Sequence, residues 1–274
     1  MIFLTFSPEI AAGAWKFLNS NFWTSLAGAG AGAVAGAWAA ERIASQNGQT
    51  KRQIEELRGT NAAIAIAITT LNAFGALKRQ HIAPMIETYK VDRKRVLATV
   101  DEAEVKKQKT TVKIEVDFKF LPPPHTPINV LEDLIFKKID ATTGILSLFT
   151  YVSQAEQRLS QNIVQRNALI EDLRVNPRRS QEMVAEAYFG IPTAEGLDTR
   201  YADIIEGLEL YTDDCMAFTH ALVEDLLSHA EAAAELCGSK GPKAARCDLA
   251  PIADLLPRSQ HYSELVSKIR GTGP

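Results

Sequence analysis

Hydrophobic and polar positions follow different rules in successive stretches of the chain. From Phe17 to Ala40, FLNSNFWTSLAGAGAGAVAGAWAA, no residue is charged, and Lys16 and Glu41-Arg42 bound the run. Ile54, Leu57, Asn61, Ile64, Ile68, Leu71 and Gly75 then recur at alternating steps of three and four, the pattern of a coiled-coil seam. Between Val112 and Phe120 the period drops to two, with Val112, Ile114, Val116, Phe118 and Phe120 alternating with Lys113, Glu115, Asp117 and Lys119. Beyond Pro127 the helical period returns to the end of the chain.

The uncharged run predicts a transmembrane helix over residues 21–44. A helix rises about 1.5 Å per residue and a hydrocarbon core of about 30 Å needs about 20 residues. Trp23 and Trp38 stand near its ends, where amphipathic rings rest at the headgroup layers. Its composition is mostly glycine and alanine. Gly28, Gly32 and Gly36 fall on one helix face, and a face without side chains lets two backbones approach and pack by dispersion. These glycines are the expected oligomer interface, although alternation with alanine supplies part of their spacing. A dinucleotide-binding turn is the weaker reading of Gly28 to Ala33, because no aliphatic strand precedes it. A signal peptide lacks its basic n-region, and the two tryptophans weigh against a buried soluble helix. Residues 1–20, with the helix-start signal Ser7-Pro8-Glu9, read as an interfacial segment.

Residues 45–110 read as a coiled-coil-like stalk whose helix begins near Thr50. Asn61 at an a position would fix its register and joins the expected interface. The uncharged stretch Thr60 to Leu77 is long enough for a second span, but Asn61, Asn72 and its threonines count against one. Pro84 predicts a kink without an end to the helix. Residues 111–127 read as one isolated extended strand leading into Pro122-Pro123-Pro124. A lone strand must pair with another copy, pair with a partner, or lie across helices to satisfy its backbone. Residues 128–274 read as a helical bundle. Helices are expected after Thr126-Pro127, up to Val175 before Asn176-Pro177, from Ser180 to Gly190, from Arg200 to Cys237, and near Pro251 to Leu256 and Gln260 to Ile269. The fold class is mainly α, a single N-terminal transmembrane helix followed by a cytoplasmic bundle.

Charge adds orientation. Lys16 precedes the anchor, whereas Arg42, Lys51, Arg52 and Arg58 follow it, which places the C-terminal part in the cytoplasm and the N-terminus outside. The net charge of -3 over 274 residues offers no basic field for nucleic acid. The 3 cysteines, Cys215, Cys237 and Cys247, suit free thiols in a reducing cytoplasm; reversed topology would allow a Cys237–Cys247 disulfide.

Candidate chemistry is sparse. Asp213, His220 and Glu224 share a face of the Arg200–Cys237 helix, with Asp214, Asp225 and His229 nearby, and such a stripe can hold a metal when a facing helix completes the set. No second helix offers a matching Glu-x-x-His pair. A zinc site from Cys237, Cys247, His229 and His261 fits no standard spacing. Phosphate-loop, zincin and nucleophile-elbow motifs are absent, as is the arginine–histidine spacing of HEPN-type helical RNases. The expectation is therefore a non-enzymatic bacterial inner-membrane protein without a cofactor. Its partners would be the bilayer, further copies of itself and an unidentified protein. The alternatives are a membrane-perturbing defence or toxin effector, and a membrane-tethered metal-dependent hydrolase.

Overall fold

The computed structural model describes residues 21–106, 116–176, 180–193, 196–238 and 241–271, with side chains from Gly48 onward. The chain divides into two compact units, Met1–Ile54 and Glu55–Pro274. Its described elements are α1 (Asn21–Leu77), a π-helical turn (Lys78–Ile82), α2 (Ala83–Lys106), α3 (Ile128–Lys137), α4 (Thr143–Val175), α5 (Gln181–Phe189), α6 (Arg200–Cys237), a 3-10 turn (Ala250–Leu255) and α7 (Gln260–Ile269). The fold is mainly helical.

Helix α1 runs through the expected fresh start near Thr50 without a break and, at 57 residues, exceeds α6, the longest helix expected. No proline interrupts it, and Gly48, the glycine beside the expected start, costs only about 1 kcal/mol relative to alanine. Pro84 does not end the run. Its ring lacks an N–H and would strike the carbonyl of Gln80, four residues back. The π-helical turn opens the ladder just before it, with the Ala83 N–H bonded to the Lys78 carbonyl five residues back. A widened turn removes the clash and keeps the chain helical.

The core of the second unit is the α4–α6 pair. Ile145, Leu148, Val152, Leu159, Ile163 and Ile170 from α4 meet Tyr201, Leu208, Cys215, Leu222 and Leu226 from α6, all nearly or fully buried. The seam residues Leu57, Ile64 and Leu71 of α1 are 0%, 1% and 0% exposed within this chain, and Phe74 joins them. The run Gly48–Ala103 contains a stretch long and apolar enough to cross a membrane, and half of that stretch is buried inside the protein. Glycine sets one close approach. A Cβ on Gly59 of α1 would lie 2.9 Å from the Lys138 carbonyl oxygen, so the α3–α4 turn rests directly on the helix backbone.

Helix ends fall where capping chemistry puts them. Thr142 accepts from the Ile145 N–H and Ser180 from the Met183 N–H, and Gly190 closes α5 at φ 62°, ψ 56°, a conformation glycine adopts without steric cost.

The expected strand is not found. Residues 116–120 form neither helix nor ladder, 111–115 lie outside the described residues, and the only bridge among the described residues joins Thr193 to Gly196. Side chains of α4 take the place of a neighbouring strand. Asn167 accepts from the Leu121 N–H at 3.0 Å and donates to the Leu121 carbonyl at 2.8 Å. Arg166, fully buried, donates to the carbonyls of Lys119 at 2.8 Å and Asp117 at 3.4 Å. The segment thus lies against a helix, with the Leu121 N–H and the carbonyls of Asp117, Lys119 and Leu121 bonded to side chains and not to a sheet.

Candidate functional site

The polar face of α6 carries the expected chemistry, and the structure distributes it among ion pairs. Asp213 receives Lys78 of the π-helical turn at 2.5 Å, and the same ammonium donates to the Leu255 carbonyl at 2.6 Å. Asp214 accepts from the Tyr262 hydroxyl at 2.9 Å. The Nη2 of Arg270 lies 2.6 Å from Asp225, 3.2 Å from Glu224 and 3.1 Å from the Ala221 carbonyl oxygen. His220 Nδ1 is 3.7 Å from Glu224 Oε1, one turn away. Asp213 and His220, seven residues apart, sit about 10 Å apart along the axis. They share a face but not a site.

His229 points elsewhere, its Nε2 3.1 Å from Glu56 of α1. Among the described residues no three His, Cys, Asp or Glu side chains are placed to hold a metal ion. This applies both to the Asp213, His220, Glu224 stripe and to the Cys237, Cys247, His229, His261 grouping. All three thiols are free, with Cys215 and Cys237 buried and Cys247 partly exposed. Burial pushes the Cys215 thiol well above its ordinary range, which keeps it protonated and inert.

What the acids hold is the C-terminal segment, residues 241–270. It also engages Asn61, whose Nδ2 donates to the Lys243 carbonyl at 2.9 Å while its Oδ1 accepts from the Ala245 N–H at 2.8 Å. Both ends of that amide are thus used within one chain. Burial raises the Asp214 carboxyl, with the Tyr262 hydrogen bond opposing it. Burial and donation to Asp214 raise the Tyr262 phenol. The Tyr262–Asp214 hydrogen bond ties the segment to α6.

A second feature was not anticipated. A cavity of about 350 Å³ opens between the π-helical turn, α2 and the Asp117–Leu121 segment, lined by His81, Met85, Tyr89, Asp117, Phe120 and Tyr188. Behind it Tyr89, Tyr188, Phe189 and Tyr201 form an aromatic cluster, with Tyr188 stacked on Tyr201 at 4.1 Å between centroids and Tyr89 stacked on Phe189 at 6.0 Å. The Tyr89 hydroxyl is buried without a hydrogen-bond partner, and burial pushes its phenol up to about 12. The guanidinium of Arg166 sits 5.9 Å from the Tyr201 ring centre, within cation–π range. A signal for this was present in the sequence. Leu159, Ile163, Ile170 and Leu173 mark a core stripe, and Arg166 occupies the stripe position between them.

Gly28, Gly32 and Gly36 lie within α1, where backbone alone is described, and helical spacing keeps them on one face. No protein-family model, no curated protein and no solved structure matches this chain.

Proposed function

We propose that this protein is a membrane-anchored assembly module of the bacterial inner membrane. The uncharged helix around Gly28, Gly32 and Gly36 tethers and associates copies, and the C-terminal bundle, on the cytoplasmic side, presents surface to a protein partner. One observation carries the reading. The uncharged small-residue run from Asn21 belongs to continuous helix α1, as a span requires, because hydrocarbon satisfies no open backbone group. The competing apolar stretch after Gly48 is already half buried against protein, so lipid is not needed to cover it. The cation excess after the anchor, Arg42, Lys51, Arg52 and Arg58 against Lys16, supports the orientation. Asn61 is spoken for by Lys243 and Ala245, so the association is assigned to the glycine face.

The test is extraction and labelling of the full chain. The protein should stay with membranes through alkaline carbonate and leave them when Leu26 and Val34 are both changed to Asp. Cys247, the one partly exposed thiol, should react with an impermeant thiol reagent only after lysis. Release of the unaltered chain by carbonate would refute the anchor, and labelling of Cys247 in intact cells would reverse the topology.

A further inference from the structure

We propose that the cleft between the π-helical turn, α2 and the Asp117–Leu121 segment binds a free amino acid as its zwitterion, one with a large apolar side chain. The inference goes beyond the assembly reading above and does not depend on it.

The backbone of the segment fixes which groups face the cleft. The carbonyls of Asp117, Lys119 and Leu121 all reach side chains of α4, and carbonyls that share a direction at every second residue mark extended backbone. In extended backbone the side chains of alternate residues share a side, and Asp117, Lys119 and Leu121 all line the cleft. A carboxylate and an ammonium thus stand on one wall, on Cα atoms about 7 Å apart. Neither charge is spent on a neighbour. Asp117 Oδ1 accepts the Lys119 N–H at 3.0 Å, and neither side chain forms an ion pair among the described residues. The other charged groups of the lining are Asp92, held by Arg95 at 2.8 Å, and His81, exposed in the π-helical turn.

A wall of both signs discriminates between ligands. A simple amine meets Lys119 as a like charge, and a simple carboxylate meets Asp117 in the same way. An α-amino acid carries both charges on one carbon and answers both groups at once, its ammonium donating to Asp117 and its carboxylate accepting from Lys119 in charge-assisted hydrogen bonds. The rest of the lining suits its side chain. Met85, Tyr89, Leu121 and Tyr188 are each more than nine-tenths buried and form an apolar floor, and Phe120, 50% exposed, stands beside them. The cleft is open to solvent, and its volume of about 350 Å³ lies at the small end of ligand sites, which run from about 300 to 1,000 Å³. A large aliphatic or aromatic side chain covers that floor, whereas glycine leaves it wet.

Isothermal titration of the full chain in mild detergent tests the proposal, with L-phenylalanine and L-leucine as probes. Both should bind, and glycine should bind at least about tenfold more weakly. Phenethylamine, which lacks the carboxylate, and hydrocinnamate, which lacks the ammonium, should each bind at least about tenfold more weakly than L-phenylalanine. Asp117→Asn keeps the acceptor for the Lys119 N–H while removing the charge, and Lys119→Met alters an exposed side chain, so both variants should fold. Each should weaken L-phenylalanine about tenfold or more. Asp117→Asn should not weaken hydrocinnamate further, nor Lys119→Met phenethylamine, since each analogue already lacks the group that the altered residue would meet. No binding of either amino acid through the millimolar range overturns the proposal. Phenethylamine or hydrocinnamate binding as tightly as L-phenylalanine would reveal a site for a single charge and overturn the zwitterion. Amino-acid binding that survives both substitutions would place the ligand elsewhere and remove the cleft. None of these readouts depends on the anchor, so its failure would be seen separately, in the carbonate extraction.

Discussion

Two glycines of α1 should respond to the same substitution with opposite sign. Inside a helix, Gly→Ala gains about 0.8–1 kcal/mol from backbone propensity alone. At Gly75 the new methyl would meet Leu255 Cδ1 at 3.3 Å and Met216 Cε at 3.8 Å. Both are ends of flexible side chains, and no residue of the 3-10 turn that carries Leu255 is fully buried. Most of the propensity gain should survive, so Gly75→Ala is expected to stabilise by about 0.5–1 kcal/mol. At Gly59 the methyl would meet the Lys138 carbonyl oxygen at 2.9 Å, Lys138 Cβ at 3.1 Å and Ile139 Cγ2 at 3.2 Å. Lys138 caps α3 and its N–H is bonded to the Leu134 carbonyl at 3.0 Å, so the obstacle is backbone already fixed by its own helix. Overpacking of that kind costs about 1–3 kcal/mol. Subtracting the propensity gain leaves Gly59→Ala destabilising by about 1 kcal/mol. The sites lie about 24 Å apart along the helix, so the double variant should sum the two effects within about 0.5 kcal/mol. Thermal melts of the full chain in mild detergent, followed by circular dichroism, measure all three variants. A Gly59→Ala protein as stable as Gly75→Ala would show that the α3–α4 turn does not rest on α1.

Further outcomes follow from the polar contacts. Burial raises the phenols of Tyr89, Tyr188, Tyr201 and Tyr262 above 10.0, Tyr89 to about 12. The folded protein therefore holds these protons more tightly than the unfolded chain. Their contribution is complete below pH 10 and is lost as pH rises through the folded values. Phenolate absorbance at pH 11 should develop slowly, in step with unfolding; immediate titration of these tyrosines would contradict their burial. Asn167→Ala removes both bonds to Leu121 and should cost about 1–3 kcal/mol, with hydrogen exchange at the Leu121 amide rising while the α6 core stays protected. Unchanged exchange there would mean that α4 does not hold the segment. Tyr262→Phe takes the donor from a half-buried Asp214, should lower stability by about 1 kcal/mol at neutral pH, and should recover part of that loss on acidification, because a protonated Asp214 no longer needs a donor. A pH-independent loss would count against that bond.

Several helix ends of the bundle were legible from their own chemistry: Ser180 caps α5, Asn176-Pro177 follows Val175, and Gly190 takes the left-handed conformation, whereas α3 and α6 begin without a side-chain cap. The α1 boundary near Thr50 was misread because the sequence there merely weakens a helix, and one glycine does not stop it. The strand was misread for a different reason. A period of two between Val112 and Phe120 records which side chains can face protein, but it does not say whether the surface they meet is a strand or a helix. Arg166 and Asn167 decide that question from some fifty residues away in the chain, and only the tertiary structure brings them to the segment. The acidic stripe was legible as a face and not as a purpose, since its partners Lys78, Tyr262 and Arg270 come from two distant places in the chain, the π-helical turn and the C-terminal segment.

That last point governs how the α6 face is to be understood. A carboxylate available for catalysis or for a metal needs an open coordination position or a perturbed proton affinity directed at a cleft. Asp213, Glu224 and Asp225 each meet a cation, and Asp214 meets a phenol. The residues that close the stripe all belong to the π-helical turn or to the C-terminal segment. Lys78 joins the two, because its ammonium bonds both Asp213 and the Leu255 carbonyl. A shift of the π-helical turn therefore changes the footing of the segment, and displacement of the segment removes one of two partners from Lys78. The turn also lines the aromatic cavity through His81. The wall of that cavity and the footing of the segment thus share the same five residues, Lys78 to Ile82.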